Sequence, residues 1–232
     1  MKTLALIALL AGVAHADPVL PRVVAAPTAW LPEEGTLVAS GALDHRGDGA
    51  FTASYGLGGI AALEIGADSD LRECAPCTPA LVGHAAFRIG THQDAWFAGQ
   101  PALALAVQTG FGRSRASHAA VVASRVLGPV KLHGGLLLVD GRVGDSRLGL
   151  TARPTGGIEL TPPAYPKTTL VGDLMWEPKF LPSAPGLEWL AGWGVRYQAL
   201  AWGSIELDVR HREGEGLAGS TVFVRINGVL AL

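Results

Sequence analysis

The stretch YGLGGIAALEIGAD (Tyr55–Asp68) sets Glu64 in the middle of an apolar run too short to cross a membrane as a helix. Far downstream, YQALAWGSIELDVR (Tyr197–Arg210) repeats the pattern, with Glu206 nine residues after its tyrosine and flanked by Ile205 and Leu207. A strand sends successive side chains to opposite faces. Read that way, Ala61, Leu63, Ile65 and Ala67 share one face, and Ala62, Glu64 and Gly66 share the other. The second stretch puts Ile205, Leu207 and Val209 opposite Ser204, Glu206, Asp208 and Arg210. One face is uniformly apolar and the other is small or charged.

This alternation recurs along the chain. About twelve segments carry it, near 36–44, 50–57, 60–68, 80–90, 101–110, 118–127, 130–140, 148–160, 168–177, 187–198, 202–212 and 220–232. His118–Leu127 fits least well, because either face could be the apolar one. Most segments have the roughly nine to eleven residues that a tilted strand needs to cross a bilayer. Links on the side of the N-terminus include the short Gly58-Gly59, Gly128-Pro129 and the Gln198–Trp202 turn, with longer ones at 91–100 and 161–167, while opposite links such as SDLRECAPCTP and DGRVGDSR are often longer and more polar. An even strand count with short turns on one side and long loops on the other marks an outer-membrane barrel.

A soluble sandwich, binding ligands in the periplasm or outside the cell, would show the same alternation, its apolar faces pressed together. Three features favour the barrel. The segments are long for a sandwich, whose strands run about five or six residues. Small Gly and Ala residues crowd the polar face, and Trp176, Trp189 and Trp202 fall near segment ends, where aromatic girdles sit. Aromatics are only 6% and the last residue is Leu232, whereas many such barrels end on an aromatic that the outer-membrane assembly machinery reads. The expected fold is all-β: an antiparallel up-and-down transmembrane β-barrel of about twelve strands.

The chain opens MKTLALIALLAGVAHADPVLP, with Lys2, an apolar core and Ala14-His15-Ala16 as a cleavage site. That is a secretory signal peptide. The expected organisation is a signal peptide at 1–16, a periplasmic lead-in at 17–35 and a barrel domain at 36–232, located in the bacterial outer membrane. The mature length of about 216 residues suits one domain. A net charge of −2 and a pI near 6.4 give no field to draw nucleic acid. The charge-free window Ala95–Gly112 is broken by Gly99, Gln100, Pro101 and Gly110, and reads as loop plus strand.

APTAWLPEEGTLVASG (Ala26–Gly41), ASYGLGGIAALEIGAD and GGIELTPPAYPKTTLVGDLMWEP (Gly156–Pro178) are turn-and-strand motifs rather than chemistry. With them the chain resembles bacterial outer-membrane β-barrel proteins of the cell envelope, among them transporter-like and exopolysaccharide-export-associated barrels. The resemblance touches about half of the chain. It implies location and fold, and it implies no catalytic residue.

Cys74 and Cys77 are the only cysteines. In an oxidising compartment a local disulfide is the default reading, with redox or metal roles as the alternatives. Arg46-Gly47-Asp48 reads as a hairpin turn before it reads as an adhesion motif. His118, with Ser114, Ser117 and Ser124 nearby in sequence, is the candidate for a lipid-modifying barrel enzyme, but no Gly-x-Ser-x-Gly elbow accompanies it. The expectation is therefore no enzyme, no cofactor and no metal site.

The lumen candidates are Glu64, His84, Arg88, Lys131, His133, Glu159, Asp173, Glu188, Arg196, Glu206, Asp208, Arg210 and Arg225. Both signs are present in near balance, so they would pair with one another in one interior, and selectivity for one ion sign is not expected. Two functions stay open: a narrow passive pore for small polar solutes, and a salt-bridged, plugged barrel with a structural role in the envelope. The expected partners are outer-membrane lipid, the assembly machinery and small solutes.

Overall fold

A computed structural model describes residues 20–68, 82–111, 114–143, 146–179 and 186–232. The signal peptide and the Cys74/Cys77 pair lie outside the described residues. Twelve long strands form a closed antiparallel ring: β1 (Thr36–Asp44), β2 (Gly49–Leu57), β3 (Ala61–Asp68), β4 (Val82–Thr91), β5 (Ala102–Phe111), β6 (Ser114–Leu127), β7 (Val130–Val143), β9 (Thr151–Leu160), β10 (Thr168–Lys179), β11 (Gly186–Leu200), β12 (Gly203–Arg212) and β13 (Thr221–Ala231). The two-residue β8 (Ser146–Arg147) only extends the pairing at the end of β7. Each long strand pairs with the next one in the chain, and β1 closes the ring on β13 from Thr36↔Ala231 to Asp44↔Phe223.

The ends of β1 and β13 define a near end, shared by the tight turns at Gly58-Gly59 and Gly128, where φ of 61°, 69° and 60° suits glycine. At the far end, Arg46-Gly47-Asp48 forms a tight turn whose amides at Arg46 and Asp48 both donate to Asp44 Oδ1 at 2.8 Å. The register partners Trp176 and Trp189 lie towards this end, and Trp202 lies at the near turn.

The facing of adjacent residues decides what the alternation means. Glu64 is 1% exposed while Ile65 is 62% exposed, and Glu206 is 0% exposed while Leu207 is 56% exposed. The apolar face therefore points outward all round the ring, with Leu63, Phe87, Leu105, Val121, Ile158 and Val224 among its exposed members. This is the outward band of a barrel in hydrocarbon. Among the described residues no helix is long and apolar enough to cross a membrane. Leu207→Arg, near the middle of β12, should cost about 2–4 kcal/mol, the penalty of a basic residue at the bilayer midplane. The check is the urea midpoint for refolding into lipid vesicles, and an unchanged midpoint would contradict the outward placement.

Two differences from the sequence reading have one cause. The segment treated as a lead-in outside the barrel is folded inside it: Leu20, Val23, Val24, Ala25, Ala26, Ala29 and Leu31 are all buried. In β6, ambiguous by alternation, Val121 faces out at 57% exposure while Val122 is buried at 2%. Val122 packs with Ala120, Leu137 and Val139 against Ala25, Ala26 and Ala29. The inner face of these strands is apolar because it meets protein, not a wet lumen.

Candidate functional site

The inserted segment is a short hairpin. Arg22 and Pro27 form an antiparallel bridge, and the Val23 amide donates to the Ala26 carbonyl at 3.0 Å. At its base the Thr28 hydroxyl donates to the Leu20 carbonyl at 2.9 Å. The flanking Pro21 and Pro27 carry no N–H, which lowers the number of donors such a buried turn must satisfy.

Three groups of wall residues hold it. Asp173 on β10 accepts three successive amides at one oxygen: Val24 at 2.8 Å, Ala25 at 2.6 Å and Ala26 at 2.7 Å. Arg225 on β13 donates to the Val23 carbonyl at 3.3 Å and the Val24 carbonyl at 2.6 Å, and Arg196 on β11 reaches the Val23 carbonyl at 3.2 Å. Arg88 on β4 donates to the carbonyls of Pro21 at 3.0 Å and Thr28 at 3.3 Å. The hairpin returns one side chain: Arg22 donates to Glu64 at 2.7 Å and to Gln108 at 3.0 Å.

Glycines make room for the turn. A Cβ on Gly157 would lie 2.8 Å from Val23 Cγ2, and one on Gly192 would lie 2.8 Å from Val24 Cγ1. Gly157 and Gly192 are thus recesses that admit the hairpin's valines.

The wall charges also bind one another. Glu206, fully buried, pairs with Arg196, with Arg225 at 3.1 Å and with the Asn227 amide at 3.0 Å. Asp208 lies 3.9 Å from Arg225. Glu159 takes the other side of Arg196 at 2.7 Å and meets His133 at 3.1 Å. Glu64 has His84 at 3.6 Å and Arg88 at 4.0 Å. Lys131 is the register partner of Glu159, and Arg210 lies over the Phe223 ring at 4.5 Å. Glu188 stands apart, 3.8 Å from Arg212, which also binds Glu177 at 2.7 Å. Beyond the hairpin, towards the far end, a cavity of about 140 Å³ remains, bordered by Arg22, Val24, His84, Gln108, His118 and Asn227 among others.

No family model matches the chain, and no curated protein matches it significantly. Solved structures do. A porin described as NanC has a TM-score of 0.59 at 11% identity, the match covering 84% of this chain and 99% of that one. The KdgM porin, solved in complex with disordered oligogalacturonate, has a TM-score of 0.58 at 8% identity, covering 85% of this chain and 99% of that one. This is the fold of a bacterial outer-membrane β-barrel. At such low identity the likeness speaks for the architecture.

Among the described residues Ser124 meets His133, and Ser220 meets His211 at 3.0 Å; neither contact involves His118. Ser124 Oγ lies 2.8 Å from His133 Nδ1, and His133 continues to Glu159, while His118 is the register partner of Gln108. Serine, histidine and carboxylate have the composition of a hydrolytic triad. Here, however, Ser124 Oγ accepts the Ala29 amide at 2.7 Å. The hairpin backbone therefore engages the Ser124 hydroxyl in this arrangement. Trp30 lies edge-on to His133 at 6.1 Å. Among the described residues no group of three or more His, Cys, Asp or Glu is placed to hold a metal ion.

The sequence reading did not include Arg22, Gln108, Ser124 as a wall residue, or Asn227. Arg22 carried the one available signal, a lone charge between Pro21 and Val23-Val24-Ala25-Ala26.

Proposed function

We propose that the chain is a narrow outer-membrane channel, closed at rest by its own N-terminal hairpin, which passes small polar solutes when the hairpin withdraws. The observation that carries this is the docking of residues 20–31 in the lumen through their main chain, onto charged groups that would line an open path. With the hairpin out, Glu64, His84, Arg88, His133, Asp173, Arg196, Glu206, Asp208 and Arg225 become the wall of the pathway. Secretion by the signal peptide at 1–16 and insertion by the assembly machinery belong to the same reading.

The structural role remains the second reading, because Arg196, Glu206 and Arg225 tie β11, β12 and β13 together whether or not anything passes. Val23→Trp/Val24→Trp separates the two. Its side chains are too large for the recesses at Gly157 and Gly192, so the hairpin is expelled and the wall is left intact. Reconstituted in a planar bilayer, the wild type should be mostly silent and the double variant should conduct steadily. A double variant that still shifts its gel mobility on boiling, as a folded barrel does, yet stays silent would support the structural barrel and sink the channel.

A further inference from the structure

We infer that the lumen is a binding site for the main chain of a short peptide with small side chains at its turn, which the N-terminal hairpin occupies in cis. This rests on the hairpin being a removable plug, and it goes further by naming what the emptied site would take.

Apart from those of Arg22, the described hydrogen bonds between wall and hairpin use hairpin backbone groups. Asp173 and Ser124 accept hairpin amides, and Arg88, Arg196 and Arg225 donate to hairpin carbonyls. Together they meet both kinds of group that an amide chain carries: three successive amides at one oxygen, and the carbonyls of Pro21, Val23, Val24 and Thr28 at guanidinium groups. A sugar or a simple anion offers no such run of amide donors to one carboxylate oxygen.

Charge points the same way. A wall meant for an anionic ligand would leave its guanidinium groups free of acids, yet Arg196 holds Glu159 and Glu206, and Arg225 holds Glu206. The remaining donor capacity of these arginines is directed at carbonyls. Size is set by the recesses: Gly157 and Gly192 admit valine-sized side chains, and Ala102, Ala104 and Ala120 pack against alanines. Ligand pockets of this kind fix orientation with a few polar groups in a mostly apolar lining.

The test uses the full-length Val23→Trp/Val24→Trp protein in detergent, its folding verified by gel mobility. The probe is a fluorescent peptide of the sequence Leu20–Leu31, with acetyl-Val-Val-Ala-Ala-amide as an unlabelled competitor. Fluorescence anisotropy should show saturable binding to the double variant and at least about tenfold weaker binding to the wild type, whose site is filled. N-methylation of the probe at the positions of Val24, Ala25 and Ala26 removes the donors to Asp173. It should weaken binding at least about tenfold. Asp173→Ala added to the double variant should do the same.

A double variant that conducts but binds no peptide would overturn the inference while leaving the channel standing. Binding that N-methylation does not touch would overturn it too, since the backbone would not be what is read. A folded double variant that neither conducts nor binds would bring down the channel reading first.

Discussion

Asp173→Ala should release the hairpin without breaking the barrel. Three successive amides converge on a single oxygen of Asp173, while its other oxygen has no hydrogen-bond partner. The side chain is thus committed to the hairpin rather than to the wall. A hydrogen bond to a charged group contributes about 1.5–3 kcal/mol, and each buried donor left without a partner costs about 1–3 kcal/mol. The three bonds share one acceptor and do not add fully. Even about 3 kcal/mol moves the docked-to-free ratio roughly a hundredfold. Two measurements report it. Channel activity in a planar bilayer should rise from rare openings to sustained conductance. Trypsin should cut after Arg22 in a folded barrel, where the wild type hides that bond among Glu64, Gln108 and the lumen wall. Asp173→Asn keeps a neutral acceptor and should fall between the two. If Asp173→Ala leaves both conductance and tryptic sensitivity unchanged, the carboxylate is not what keeps the hairpin docked.

The barrel was legible because its signal is local and repeated. Glu64 beside Ile65, and Glu206 beside Leu207, each report opposite faces from neighbouring residues, so the strand limits fall within a few residues of those read from alternation. Closure into a ring followed from length and turn placement, with no long-range information needed. The hairpin was not legible, for a physical reason. Asp173 and Arg225 hold it through amides and carbonyls, which every residue carries, so Val23–Ala26 shows no side-chain signature of its docking. What the sequence did show was the imprint: glycines at 157 and 192, and alternation that fades where Ala120 and Val122 face inward. Crowding was visible, and the object doing the crowding was not. The same hidden object gives Glu64 a partner from outside the wall, Arg22, where the sequence reading paired the wall charges only with one another.

Arg196→Met should act on the other layer of the site, lowering the stability of the barrel itself. Arg196 stands opposite Glu206 in the β11–β12 register, and Glu206 stands opposite Arg225 in the β12–β13 register, so the three form a rung across neighbouring strands. Arg196 also reaches Glu159 on β9. Glu206 is fully buried and Glu159 is 3% exposed, so water cannot replace the lost guanidinium. Removing one partner from a buried ion pair costs about 3–5 kcal/mol, because the charge left behind is no longer compensated. Here Glu206 keeps Arg225 and Asn227, and Glu159 keeps His133, which places the expected loss near the lower figure. Arg196→Lys retains the charge but not the planar fork that serves two carboxylates at once, so it should recover part of the loss. The readout is the temperature at which the compact band on an unboiled gel converts to the unfolded one. Arg196→Met should convert well below the wild type, with Arg196→Lys between them, whereas Asp173→Ala should stay close to the wild type because its bonds end on the hairpin. Equal conversion temperatures for Arg196→Met and the wild type would mean that this rung carries none of the barrel's stability.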